Sequence, residues 1–155
     1  MDKKHQTPQE AFQSGRLPSV KPGEWRDIPT RVYKNEGGHF KDIVRRTLLR
    51  EVQGIPFELR YFEVAKGGYS SLEKHEHTHT VIIHRGEGRG IVGEKEYPAK
   101  PGDIFVILAH EAHQFIQTGE EPLGFYCMVP NERDRPLLLN EAEKQALRRK
   151  VNFAD

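Results

Sequence analysis

Gly67-Gly68-Tyr69-Ser70-Ser71-Leu72-Glu73-Lys74-His75-Glu76-His77-Thr78-His79 decides how this chain is read. Three of its eight histidines fall there at every second position, and a glutamate stands two places before the first. In an extended strand, residues i and i+2 share a face, so Glu73 and His75 project side by side. A further histidine, His113, lies in His110-Glu111-Ala112-His113. Imidazole plus carboxylate is a ligand set suited to a divalent transition metal.

Outward from that stretch the pattern is strand, turn, strand. Phe57–Val64 alternates and reads as a strand that ends at Gly67-Gly68. Ser70–His75 reads as the strand carrying the cluster, and the β-branched Thr80–His84 as the next. It stops at Arg85-Gly86-Glu87-Gly88-Arg89-Gly90. Ile91–Gly93 and Lys95–Ala99 flank a turn, Ile104–Leu108 reads as a buried strand, and Gln114–Gln117 and Leu123–Val129 complete the set. Lys41–Val52 is ambiguous in period, but its β-branched residues and the following Gly54-Ile55-Pro56 favour a strand. Many short strands separated by turns point to a sandwich or small barrel.

Both ends read differently. Thr7-Pro8-Gln9-Glu10 has the composition of a helix start, with a mobile arm as the alternative. Trp25–Tyr33 reads as an extended segment reaching the body of the fold, and Asn35-Glu36-Gly37-Gly38 as a turn. Near the C-terminus, Asn140 and Glu143 form a capping-box pair, predicting a helix docked through Leu138, Ala142, Ala146 and Leu147. The expected organisation is an arm over 1–40, a barrel over 41–130 and a C-terminal tail and helix over 131–155.

Composition narrows the function. At 155 residues the chain suits one domain with a real core. A net charge of +1 creates no demand for nucleic acid, and no basic helix reads as a DNA reader. No apolar run is long enough to span a membrane, and the polar N-terminus does not read as a secretory signal. The single cysteine, Cys127, excludes an intramolecular disulfide and suits a reducing cytoplasm. No phosphate-binding Gly-Lys-Ser/Thr loop, cysteine pair or Gly-x-Ser-x-Gly elbow is present.

Two gapped motifs resemble the cupin superfamily. From Gly67, five residues lead to Glu73, one more to His75, three to His79 and six to Gly86. The spacing follows the first cupin motif, with Glu73 where the family usually has its first His and His79 where it usually has Glu. From Gly102, five residues lead to Leu108 in place of Pro, then His110 in place of Gly, His113 at the His position and Gln117 at the Asn position. The resemblance covers about residues 57–129. It implies an all-β fold, an antiparallel double-stranded β-helix or jelly-roll barrel, here with an N-terminal extended arm and a C-terminal helix.

The resemblance also implies a metal site at Glu73, His75, His79 and His113, holding one divalent Fe, Mn, Ni or Zn ion. Glu73 is alternatively a hydrogen-bond acceptor for a ligating histidine or a general base. His110, at the barrel mouth, is the second candidate for a catalytic role, with a plain loop histidine as its alternative. His77 falls on the expected hairpin turn and reads as exposed or as supporting the ligands from outside. His84 faces away. Strand parity lines the cavity with Val81, Ile83, Phe115 and Gln117, with Tyr61, Tyr69, Phe125 and Cys127 as further candidates. Arg45, Arg46, Arg60, Arg85 and Arg89 are either partners for an anionic substrate or a solvated face. The expected function is a metal-dependent oxygenase, isomerase or decarboxylase acting on a small oxygen-rich or carboxylate compound. The alternative is a non-catalytic metal or small-ligand binding or sensor protein. A homodimer is expected, with a small-molecule ligand, no nucleic acid and no membrane partner.

Overall fold

The computed structural model describes residues 14–34 and 39–155. The helix start at Thr7 and the turn at Asn35–Gly38 lie outside them. The described residues form β1 (Ser19–Lys21), β2 (Glu24–Trp25), β3 (Arg31–Val32), β4 (Lys41–Leu49), β5 (Phe57–Tyr69), β6 (Glu73–Lys74) and β7 (His79–Arg85). These are followed by β8 (Glu87–Val92), β9 (Lys95–Ala99), β10 (Ile104–Ile107), β11 (His113–Thr118), β12 (Leu123–Pro130), β13 (Leu137–Leu138) and α1 (Glu141–Arg148).

Pairing is antiparallel throughout and makes two curled layers. One runs β3-β4-β5-β12-β7-β10. The other runs β13-β6-β11-β8-β9. The far end of β5 joins them, where Tyr69 pairs with Ile116 of β11. This is the jelly-roll barrel that the motifs implied. Gly67-Gly68 does not end β5; it lets the strand bend between layers. Gly67 has φ +79°, and a Cβ on Gly68 would stand 2.6 Å from the Lys41 carbonyl oxygen. Inward side chains of both layers meet in one apolar cluster that includes Phe62, Val81, Phe115, Phe125 and Val129.

Other strand boundaries also differ from the sequence reading. Ser70–His75 is paired as a strand over Glu73–Lys74 alone. β7 does stop at Arg85, as expected, but Glu87–Gly90 of the glycine-rich run already form the first part of β8. Glycine is needed there for close approach: a Cβ on Gly90 would lie 2.6 Å from the Phe105 ring. β10 is not a buried strand; Phe105 and Ile107 point inward, while Ile104 and Val106 are exposed.

The ends pack on the barrel. Trp25 sits edge-on against Tyr61 and Tyr126, and β3 pairs with β4. The α1 capping box forms as expected between Asn140 and Glu143. Its docking differs. Ala142 and Ala146 are exposed, Leu138 belongs to β13, and contact is made by Leu147 with Leu139 and Val151 over Leu72, Ile91 and Ile116. No helix among the described residues is long and apolar enough to cross a membrane.

Candidate metal centre

β6, the turn after it, β7 and β11 bring the motif residues together inside the barrel. His75 follows β6, His79 opens β7 and His113 opens β11, directly opposite Glu73. One ring nitrogen from each of His75, His79 and His113 lies within 4.8 Å of the others, and all three residues are buried. Backbone carbonyls orient two of the rings. His75 Nδ1 donates to the His77 oxygen at 2.7 Å, and His113 Nδ1 donates to the Glu111 oxygen at 2.9 Å. A carbonyl can only accept, so the proton is on Nδ1 and Nε2 keeps its lone pair. His79 Nε2 and His113 Nε2 are buried with no hydrogen-bond partner. Orphaned polar atoms are costly in an interior, and the inward lone pairs of His75 and His113 are what a metal ligand requires. The donor set therefore fits a divalent ion.

Electrostatics agree with neutral rings. Burial, then neighbouring His113, lowers the His75 imidazole to about 4. Burial, His113 and His75 lower His79 to about 2, and burial lowers His113 as well.

Glu73 lies in the same cavity, but its carboxylate is held by the Lys34 ammonium, which reaches in from the N-terminal arm. The ring cluster consists of the three histidines, with Glu73 beside it. His110 is exposed and is not part of the cavity lining. Its backbone keeps the left-handed conformation of the turn glycine it replaces, φ +64°, and its amide donates to the His75 oxygen at 2.7 Å.

Of the two places expected for His77, the structure shows the one beside the clustered histidines and not the exposed one. Its side chain is only 8% exposed, and its ring stacks on His75 with centroids 3.7 Å apart. Its Nδ1 donates to Asp134 at 2.8 Å, while the backbone amides of Glu76 and His77 also donate to that carboxylate. These donors, the Glu76 amide first, hold the Asp134 carboxyl below the usual range. Asp134 carried no sequence signal; it stands 57 positions from His77 in a polar tail.

The cavity, about 600 Å³, has Val81, Phe115, Phe125 and Cys127 in its wall, as strand parity predicted. Ile83, Gln117, Tyr61 and Tyr69 do not line it. Gln117 instead accepts from the Gly67 amide, and Tyr61 packs on the outer face with Trp25 and Tyr126. Cys127 Sγ lies 3.3 Å from His79 Nδ1, and Arg60 Nη2 donates to it at 3.6 Å. Burial raises the thiol's pKa. His84 faces outward, as expected, against Tyr61 and Tyr126.

Comparison with known proteins gives a consistent picture. The family model described as a cupin domain matches residues 60–129. The chain is 42% identical over 124 residues to 1-methylthio-D-xylulose 5-phosphate methylsulfurylase of Rhodospirillum rubrum, covering 80% of each protein. A cupin 2 conserved barrel domain protein from Rhodopseudomonas palustris is 38% identical with TM-score 0.81, over 87% of this chain and 93% of that one. A cupin-2 domain structure from Rhodospirillum rubrum is 38% identical with TM-score 0.76, over 92% and 91%.

Proposed function

This chain belongs to the cupin family, and from that premise we propose that it is a metal-dependent enzyme acting on a methylthio-substituted ketose phosphate. The observation that carries the metal-dependent part is the pair of buried, unpartnered Nε2 atoms on His79 and His113, next to His75. The 42% identical relative points the chemistry to a carbon–sulfur bond. The oxygenase, isomerase and decarboxylase classes expected from sequence would use the same arrangement, a substrate oxygen presented to the histidine centre.

A divalent ion held by His75, His79 and His113 supplies Lewis-acid polarisation of a carbonyl or hydroxyl oxygen. The chain's own groups do the rest. Phe115, Phe125 and Val81 form an apolar wall of the kind that accepts a methylthio group and excludes water. His77, aligned by Asp134, and Glu73, aligned by Lys34, are the proton-handling groups within the cavity. The compartment proposed is the cytoplasm, in keeping with the free, buried Cys127 thiol.

The test is to incubate the purified protein with 1-methylthio-D-xylulose 5-phosphate, with and without an added thiol as acceptor, and follow loss of the methylthio signal by NMR. Turnover is expected, and it should disappear after chelation and in His113→Ala. A protein that carries near-stoichiometric metal but converts neither this compound nor related ketose phosphates fits the non-catalytic binding role instead.

A further inference from the structure

The charges around the cavity do not balance. Lys34, Arg45, Arg60, Arg133 and Arg135 line it, and Glu73 is the one carboxylate among the lining side chains. Glu73 is engaged by Lys34. Glu58, just outside the lining, lies 3.3 Å from Arg133 and 4.0 Å from Arg60. The Arg45 side chain has no hydrogen bond or ion pair among the described residues, and the Nε atoms of Arg45 and Arg60 are both buried without a hydrogen-bond partner. Burial and the adjacent Arg60 charge depress the Arg45 guanidinium's pKa.

These are half-buried cations on strands that otherwise face the core. Arg45 pairs in register with Phe62, and Arg60 with Thr47 and Cys127, on strands whose inward neighbours Ile43, Phe62 and Val64 form the apolar cluster. Placing three guanidinium groups there with Glu58 as their shared counter-charge leaves an excess of positive charge that works against folding. A bound anion removes that penalty. Guanidinium forks match the oxygens of phosphate, and the unshared Arg45 fork beside Arg60 and Arg133, which have only Glu58 between them, suits a dianion better than a single carboxylate.

We propose that Arg45 and Arg60, with Arg133 at the rim, form a subsite for the phosphate group of the substrate, adjoining the three-histidine centre. This rests on reading the cavity as the catalytic site of a metal-dependent enzyme, and it assigns the substrate's anionic end to particular residues. Proximity follows from Cys127, whose sulfur is 3.6 Å from Arg60 Nη2 and 3.3 Å from His79 Nδ1. A short phosphorylated molecule therefore reaches both, with its phosphate on the arginines and its oxygen-bearing carbons at the histidines.

The experiment uses metal-stripped full-length protein, so that metal binding does not enter. Thermal unfolding is followed with inorganic phosphate, with acetate at matched ionic strength, and with xylulose 5-phosphate against free xylulose. Phosphate and the phosphorylated sugar should stabilise, while acetate and xylulose should not. In Arg45→Gln and Arg60→Gln, phosphate affinity should fall at least ~10-fold, a loss typical of a charge-assisted hydrogen-bonded contact. The unliganded Arg45→Gln protein should melt no lower than wild type, because an uncompensated cation is gone. Arg45→Lys, which keeps charge and loses the fork, should bind phosphate with intermediate affinity and serves if the glutamine variant does not fold. The subsite is ruled out if phosphate fails to stabilise, if acetate does so equally, or if the variants bind phosphate like wild type. Elemental analysis of the as-purified protein tests the metal reading separately. A phosphate response without metal removes that reading and leaves the subsite, and metal without a phosphate response does the reverse.

Discussion

Two of the three clustered histidines have their tautomer set by what their outer nitrogens touch. His75 and His113 give their Nδ1 protons to carbonyls only two residues away, so local backbone geometry fixes the tautomer. The depressed pKa of His75 sets a testable pH dependence. An unfolded imidazole takes up its proton near 6.5, whereas His75 in the fold does so near 4. As pH falls through that window the unfolded state binds protons and the metal-free fold does not, so stability should drop. The loss is about 1.4 kcal/mol per pH unit for each such group, to be measured by urea unfolding of stripped protein between pH 7 and 4.5. Metal affinity of the folded protein should stay level from pH 8 to 5, and a decline beginning at 6.5 would count against neutral rings. His110 invites a second measurement. A β-branched-free but still non-glycine residue at φ +64° is strained. His110→Gly should therefore raise stability by about 1 kcal/mol with metal content unchanged, and a loss of activity in that stable variant would mark His110 as part of the chemistry. The motif spacing brought His75, His79 and His113 together, as the structure has them, but gave no sign of Asp134, because nothing in a polar tail announces a bond to His77.

At the level of elements, one side chain ties the C-terminal tail to the barrel. Gln114 on β11 is fully buried, donates from Nε2 to the Ser70 oxygen at 2.9 Å and to the Ala154 oxygen at 2.8 Å, and accepts from the Ala154 amide at 2.9 Å. Lys144 of α1 and Arg148 close the same tail through Asp155, each at 3.0 Å. Gln114→Leu keeps the volume but strands the buried Ser70 carbonyl and two part-buried groups of Ala154, at about 2–4 kcal/mol. The expected result is a lower urea midpoint with exchange protection lost at the Ala154 amide; retained protection there would show that the staple is dispensable. Alternation identified β5, and β-branched or apolar runs between turns identified β7, β11 and β12, because their inward faces meet one core. It failed at β8, where Gly88 and Gly90 read as a turn. There the glycines serve neighbours distant in sequence, Ile116 and Phe105, which no local pattern reveals. It failed at β10 because a run of apolar residues does not distinguish a strand buried on both faces from an edge strand with one face open.

Over the whole molecule, two spaced motifs were enough to identify a barrel, since their spacing counts residues across hairpins that must close on one cavity. What they could not give is the charge inside it, set by Arg45 on a strand before the first motif, Lys34 on the arm and Arg133 between β12 and β13. The same open face of β10 bears on assembly. Among the described residues β10 pairs only with β7, leaving its other edge free. Ile104, Val106 and Leu108 are 64%, 55% and 56% exposed along it. A free edge carrying an apolar row is a liability unless something covers it. A second copy fits, because an antiparallel pair of identical strands is self-complementary about a twofold axis and continues the sheet between subunits. Light scattering after size exclusion should then give twice the chain mass, and Val106→Glu, placing a carboxylate at the centre of the row, should give the single-chain mass with metal content intact. A wild-type protein that elutes as a monomer at tens of micromolar would leave β10 as an ordinary exposed edge.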